Sequence, residues 1–300
     1  MGERKRKSIR SSAMLTLTAL IWGVAFVAQS EGMNYVGAFT FNGCRFLVGG
    51  AVLIPCIFFL RRSGGNTGLP AGREERRNRQ RTGIIGGICC GCLLCLATSL
   101  QQFGIAWTTV GKAGFITALY IVIVPLLGLF LHRKVGLHIW ASVAIAAVGM
   151  YLLCVTGDFT VGRGDLLVFL CAIVFSVHIL TVDHFSPKAD GVLISCVQFF
   201  TAGVISCVFM FLFEKPVWGD ICAAWLPILY AGVMSCGVAY TLQVVAQKDV
   251  EPTIASLIMS LESVFSLLAG WVLLGQKLSA RELIGCVLVF AAIILAQLPS

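Results

Sequence analysis

Charged side chains are scarce. Asp, Glu, Lys and Arg make up 12% of the 300 residues, where an ordinary soluble domain carries about a quarter. Hydrophobic residues make up 58%, and the mean hydropathy is +0.92. This balance excludes a soluble enzyme, a disordered chain and a secreted disulfide scaffold. Alternating ten-residue strand patterns are absent, which excludes a transmembrane barrel. No HExxH, GxSxG or paired-carboxylate arrangement occurs. The stretch from Gly104 to Gly111-Lys112 has the wrong glycine spacing for a phosphate loop, and Ala113 replaces the needed Ser or Thr. ATP-driven work is therefore set aside, and the sequence implies no cofactor.

What is present is a series of long apolar runs, at 12–29, 36–59, 83–105, 113–131, 137–154, 164–182, 191–213, 221–244, 252–274 and 281–298. Each is near the length of about 20 residues that crosses the hydrocarbon core. In lipid every backbone polar group must be satisfied within its own segment, so the runs are expected to be helices. The expected fold class is an all-α integral membrane protein with ten transmembrane helices. Arg4, Lys5, Arg6 and Lys7 precede the first run as in a signal peptide. With nine more runs following, a retained signal-anchor is the simpler reading.

Basic residues set the orientation. With the N-terminus inside, 16 of the 22 Lys and Arg fall on the cytoplasmic side and 5 outside, leaving Arg45 within a span. This predicts cytoplasmic N- and C-termini in a multi-pass protein of the inner (cytoplasmic) membrane. The net charge of +8 belongs to that asymmetry and not to nucleic-acid binding. The basic 61–82 loop, with Gly64-Gly65-Asn66 and Pro70-Ala71-Gly72, suits a flexible solvated connector.

The chain reads as duplicated. A basic N-terminus (1–11) precedes a first five-helix unit (12–154), a linker (155–163) and a second five-helix unit (164–298). An offset of 153 places Arg45-Phe46 on Gln198-Phe199, Gly50 on Gly203, and Trp22-Gly23 on Phe175-Ser176. An offset of 142 places Leu100-Gln101 on Leu242-Gln243 and Ala113 on Ala255. The change falls between spans two and three, where only the first half has the long basic loop. An odd number of spans per unit makes the two repeats inverted, an architecture of many secondary transporters that bind substrate near the midplane between the halves.

A charged side chain at the bilayer centre costs about 2.5–3.5 kcal/mol on insertion scales, so each needs a reason. Glu262 sits mid-span and either binds substrate or a proton, or is a neutral packing acid. Arg45 either offers fixed positive charge to an anionic group or to Glu262, or snorkels outward; its equivalent, Gln198, is neutral. His178 is either a proton relay or a satisfied packing residue. Trp22, Tyr120 and Tyr240 either wall a cavity or simply pack. Gln101, Gln102 and Gln243 line vestibules or bond neighbouring helices. Gly83, Gly87 and Gly91 form a small-xxx-small ladder for close helix approach. Pro125 is a candidate kink and gate hinge. The 13 cysteines include C-x-x-C spacing at Cys89 and Cys92, but without a His cluster they read as small apolar residues, and no metal is implied.

Trp22-Gly23 with Phe26, Ala113 to Pro125, Gly164-Asp165-Leu166-Leu167, and Pro252-Thr253 through Leu261-Glu262 to Leu274-Gly275 together resemble the motifs of EamA-type transporters of the drug/metabolite transporter superfamily. The resemblance covers nearly the whole chain. It implies a ten-helix carrier that moves small metabolites or drug-like compounds, often outward, with a proton or counter-substrate as the driving partner. Ser263 stands where the family often has Pro, and Gln276 where it often has Glu. Substrate and oligomeric state are not legible. Two alternatives remain: a sensory or structural membrane protein without transport, and an intramembrane lipid-acting enzyme using Glu262 with His178.

Overall fold

The apolar runs fold as helices because nothing else satisfies the backbone without water. The computed structural model describes residues 2–62, 73–108, 110–131, 136–154, 162–274 and 279–297. Residues 63–72 of the basic connector, 155–161 of the linker, Arg133, Lys134, Gln276 and Lys277 lie outside the described residues. In the first half, α1 (Gly2–Gly32), α2 (Ala38–Arg62) and α3 (Arg73–Ile105) are followed by α4 (Val110–Thr117), α5 (Tyr120–Phe130) and α6 (Leu137–Cys154). The second half opens with α7 (Arg163–Phe185), α8 (Gly191–Phe213), α9 (Trp218–Ala223) and α10 (Trp225–Leu229). A π-helical stretch (Tyr230–Tyr240) then runs into α11 (Thr241–Ala246), and α12 (Pro252–Met259), α13 (Leu261–Leu274) and α14 (Ala280–Gln297) complete it. No strand occurs among the described residues.

Eight described stretches are long and apolar enough to cross a bilayer. Two shorter apolar helices, Leu137–Gly149 and Leu283–Ala296, lie within α6 and α14. These ten segments follow the order of the ten apolar runs.

The packing is unchanged when the halves are exchanged. Helices α2 and α8 pack on each other, as do α6 and α14, so each meets its own equivalent. Helix α3 lies along α7, and α1 lies along the run from α10 to α11. Helices α4 and α5 pack on α7, as α12 and α13 do on α1. Small residues make the α2–α8 approach possible: Gly50 faces Phe200 and its equivalent Gly203 faces Leu47, each leaving only about a Cβ's room at 3.0 Å. Gly83, Gly87 and Gly91 all face α8, where they meet Leu193, Val197 and Thr201 in turn.

Two helices are interrupted, and at matching places. The break between α4 and α5 falls at Ala118–Leu119, and that between α12 and α13 at Ser260. Ala118 and Ser260 are 142 positions apart. Around both breaks N–H groups reach back three residues rather than four: Leu119 to Ile116, Ile121 to Ala118 and Ser263 to Ser260. Ser260 Oγ also donates to the Leu257 carbonyl at 2.7 Å, satisfying an acceptor at the break. Pro125 is buried within α5, downstream of the interruption.

The π-helical stretch has a register consequence. Gly91 approaches the Gln198 carbonyl as Gly232 approaches that of Arg45, and Gln198 and Arg45 are equivalents. These glycines are 141 residues apart, whereas Gln101 and Gln243, beyond the π-helical stretch, are 142 apart. The wider turn therefore takes up one extra residue.

Candidate functional site

Residues flanking both breaks, Thr117 and Tyr120 at one and Met259 and Glu262 at the other, line one cavity of about 500 Å³ with the open solvent at its mouth included. Ten of its lining residues form five equivalent pairs: Trp22 with Phe175, Phe26 with Ile179, Gln101 with Gln243, Thr117 with Met259, and Tyr120 with Glu262. Gln29, Arg45, His178, Ser235 and Tyr240 complete the wall. The cavity thus lies where the two halves meet, and its chemistry departs from their symmetry.

Glu262 is 4% exposed and occupies the first turn of α13. Amide dipoles at a helix N-terminus favour negative charge there. Its Oε1 accepts the Tyr120 hydroxyl at 2.9 Å. Tyr120 begins α5 directly after the other break, so the two interruptions supply both partners. Gln101 Nε2 donates to Thr117 Oγ1 at 3.2 Å beside them.

Arg45 is 3% exposed, and its guanidinium lies over the rings of Phe41 and Phe46, 5.5 and 5.0 Å from their centroids. Phe46 stacks on its equivalent Phe199 at 6.2 Å. Arg45 and Glu262 share the cavity but form no ion pair with each other. Tyr240 packs against Trp22 at 4.6 Å and edge-on to His178 at 6.2 Å between ring centroids. His178 Nε2 lies 3.2 Å from Gln198 Oε1. With the amide placed so, the imidazole donates through Nε2.

Six of the seven binding candidates therefore meet in one place: Trp22, Arg45, Tyr120, His178, Tyr240 and Glu262. Gln198 stands behind His178, orienting it without lining the cavity. The Gly83 ladder serves the α3–α8 contact, away from the wall. Sequence reasoning passed over Phe26, Gln29, Thr117, Ile179, Ser235 and Met259. Four of these were accessible, because the same offsets pair Phe26 with Ile179 and Thr117 with Met259. Among the described residues no three His, Cys, Asp or Glu side chains gather as metal ligands.

A helical membrane protein of two like halves, with its polar residues gathered between them, defines a class of integral membrane carriers. The sequence profile of the EamA-like transporter family matches twice, at residues 10–155 and 162–298. The chain belongs to that family, of the drug/metabolite transporter type. A curated relative from Archaeoglobus fulgidus, named an uncharacterized transporter, is 27% identical over 298 residues, spanning 99% of this chain and 89% of that one. A protein of known crystal structure with 19% sequence identity matches 96% of each chain with a TM-score of 0.76. At that identity the likeness is one of fold.

Proposed function

We propose that this protein is a secondary carrier of small metabolites or drug-like compounds, working by alternating access. Ten helices cross the cytoplasmic membrane as two inverted five-helix repeats, with both termini in the cytoplasm, and transport runs outward. The repeats rock about the shared cavity, so that it opens to one side at a time. Glu262 exchanges a proton or engages the cargo, Arg45 supplies fixed positive charge, and Tyr120 positions the Glu262 carboxyl. Trp22, Tyr240 and His178 shape the wall, with Gln198 behind. The α3–α8 glycine contact is a sliding surface and Pro125 a flexing point of α5. The site carries no catalytic role in this reading.

The observation that carries it is the pairing of lining residues from both halves around a buried acid, flanked by two interrupted helices. Discontinuous helices at the repeat interface are where secondary transporters bind their cargo. The test is uptake into proteoliposomes across a panel of metabolites, with and without an imposed pH gradient. Gradient-dependent uptake that loses its pH dependence in Glu262→Gln is the expected result. Uptake of nothing in the panel removes the carrier reading, and unchanged pH dependence in Glu262→Gln removes the proton role.

A further inference from the structure

Arg45 is a buried cation with which no described acid forms an ion pair. Its buried Nε has no hydrogen-bond partner among the described residues. Two phenyl faces stabilise it in part, but a ring quadrupole does not replace an opposite charge. Buried charges in proteins are paired or serve a site. The acid nearest in function, Glu262, is engaged by Tyr120 instead.

Architecture does not explain the charge either. The equivalent position in the second half holds Gln198, fully buried in the same helix pair. The fold therefore packs a neutral amide at this place. The cation is an addition to one half alone, and it lines the cavity where its counterpart does not.

The remaining wall complements such an ion. Trp22 Nε1 is a second buried donor with no partner among the described residues. Gln29 Oε1 and Gln243 Oε1 are buried acceptors in the same condition. All three residues line the cavity. Two buried donors and two buried acceptors without a partner among the described residues thus belong to side chains that line the cavity.

We propose that the cargo is an organic anion. Its carboxylate is seated on Arg45 with Trp22 Nε1 alongside, and its hydroxyl or N–H groups face the glutamine oxygens. This rests on the carrier reading for its meaning, but it concerns binding and is tested apart from transport.

The test uses the full-length protein in detergent. Lactate, gluconate and benzoate are compared with their uncharged amides as stabilisers against thermal unfolding, with tryptophan fluorescence as a second readout. At least one of the anions is expected to stabilise saturably while its amide does not. Arg45→Gln, which copies the second half, is expected to weaken that binding at least tenfold. Arg45→Lys keeps the charge and retains part of it. Unliganded unfolding temperature and monodispersity of each variant separate lost binding from lost folding. If no carboxylate outperforms its amide, or if Arg45→Gln binds the anion as wild type does, the proposal is overturned. Anion binding without uptake in proteoliposomes would leave this site standing and remove the carrier reading. Uptake of neutral compounds only, indifferent to Arg45, would do the reverse.

Discussion

Tyr120 and Glu262 occupy the same position in the two halves of the chain, 142 residues apart, and they hydrogen-bond to each other. In the proposed alternating-access cycle, in which the halves trade conformations, a contact between equivalent residues maps onto itself. It can therefore persist through an exchange that breaks contacts between unlike positions, such as Ser263 Oγ to the Gly114 carbonyl. A buried hydrogen bond to a group of this kind is worth about 1.5–3 kcal/mol if the carboxyl is charged. Tyr120→Phe is expected to destabilise the protein by about that amount and to slow uptake. Glu262→Leu removes the acceptor and leaves the Tyr120 hydroxyl without its partner, at a comparable expected cost. The double variant is expected to fall short of the sum of the two single losses, because they share one interaction. Chemical denaturation of all four proteins closes the cycle; additive losses would remove the coupling.

The α3–α8 glycine ladder makes a graded prediction. A Cβ on Gly83 meets the end of Leu193 at 3.0 Å and Ala189 Cβ at an ordinary 3.4 Å. One on Gly87 meets Val197 Cβ at 2.5 Å, and one on Gly91 meets Thr201 Cβ at 2.6 Å and the Gln198 carbonyl at 2.7 Å. Neither branched side chain nor backbone can swing aside. Gly87→Ala and Gly91→Ala are expected to cost about 1–3 kcal/mol, the usual range for overpacking. Gly83→Ala is expected to cost less than either, since a leucine end can turn. Unfolding temperatures in one detergent give the order directly.

The sequence carried the succession of helices, and it carried the equivalences at Trp22 and Phe175, Arg45 and Gln198, and Gln101 and Gln243. Those rest on local hydrophobicity and on spacing, which survive without knowledge of contacts. The interruption at Ala118–Leu119 left no local mark. Neither residue breaks helices, and the proline that does, Pro125, lies within continuous α5. Helix α4 packs on α7 and α13 of the other half, contacts that spacing alone does not reveal. The π-helical stretch is similar: one extra residue in a long apolar run changes no hydropathy. Gln29 and Ser235 were missed because single polar residues near apolar runs are common. Ser263, where the family often has Pro, shows a gain only in space. Its N–H donates to Ser260 and its hydroxyl to the Gly114 carbonyl of α4.

The N-terminus of α2 shows how one half borrows from the other. Glu214, just past α8, accepts the Phe39 and Thr40 amides at 2.8 Å each and the Thr40 hydroxyl at 2.6 Å. Helix α8 instead caps itself, with Asp190 accepting from the Val192 amide at 2.8 Å. The residue equivalent to Asp190 is Gly37, and a Cβ there would lie 2.3 Å from the Glu214 carboxyl carbon. The glycine thus makes room for a cap supplied from the second half. Glu214→Ala leaves first-turn amides without their acceptor, at an expected cost of about 1–3 kcal/mol. Gly37→Asp alone is expected to destabilise as well, since it crowds Glu214 and sets two carboxylates together. Combined with Glu214→Ala, the same change removes the clash and restores a local cap like that of α8. The double variant is therefore expected to be more stable than either single one. Hydrogen exchange of the peptide spanning Phe39 and Thr40 reads this out: protection lost in Glu214→Ala returns in the pair. If protection stays lost, the cap is not what Gly37 and Glu214 divide between them.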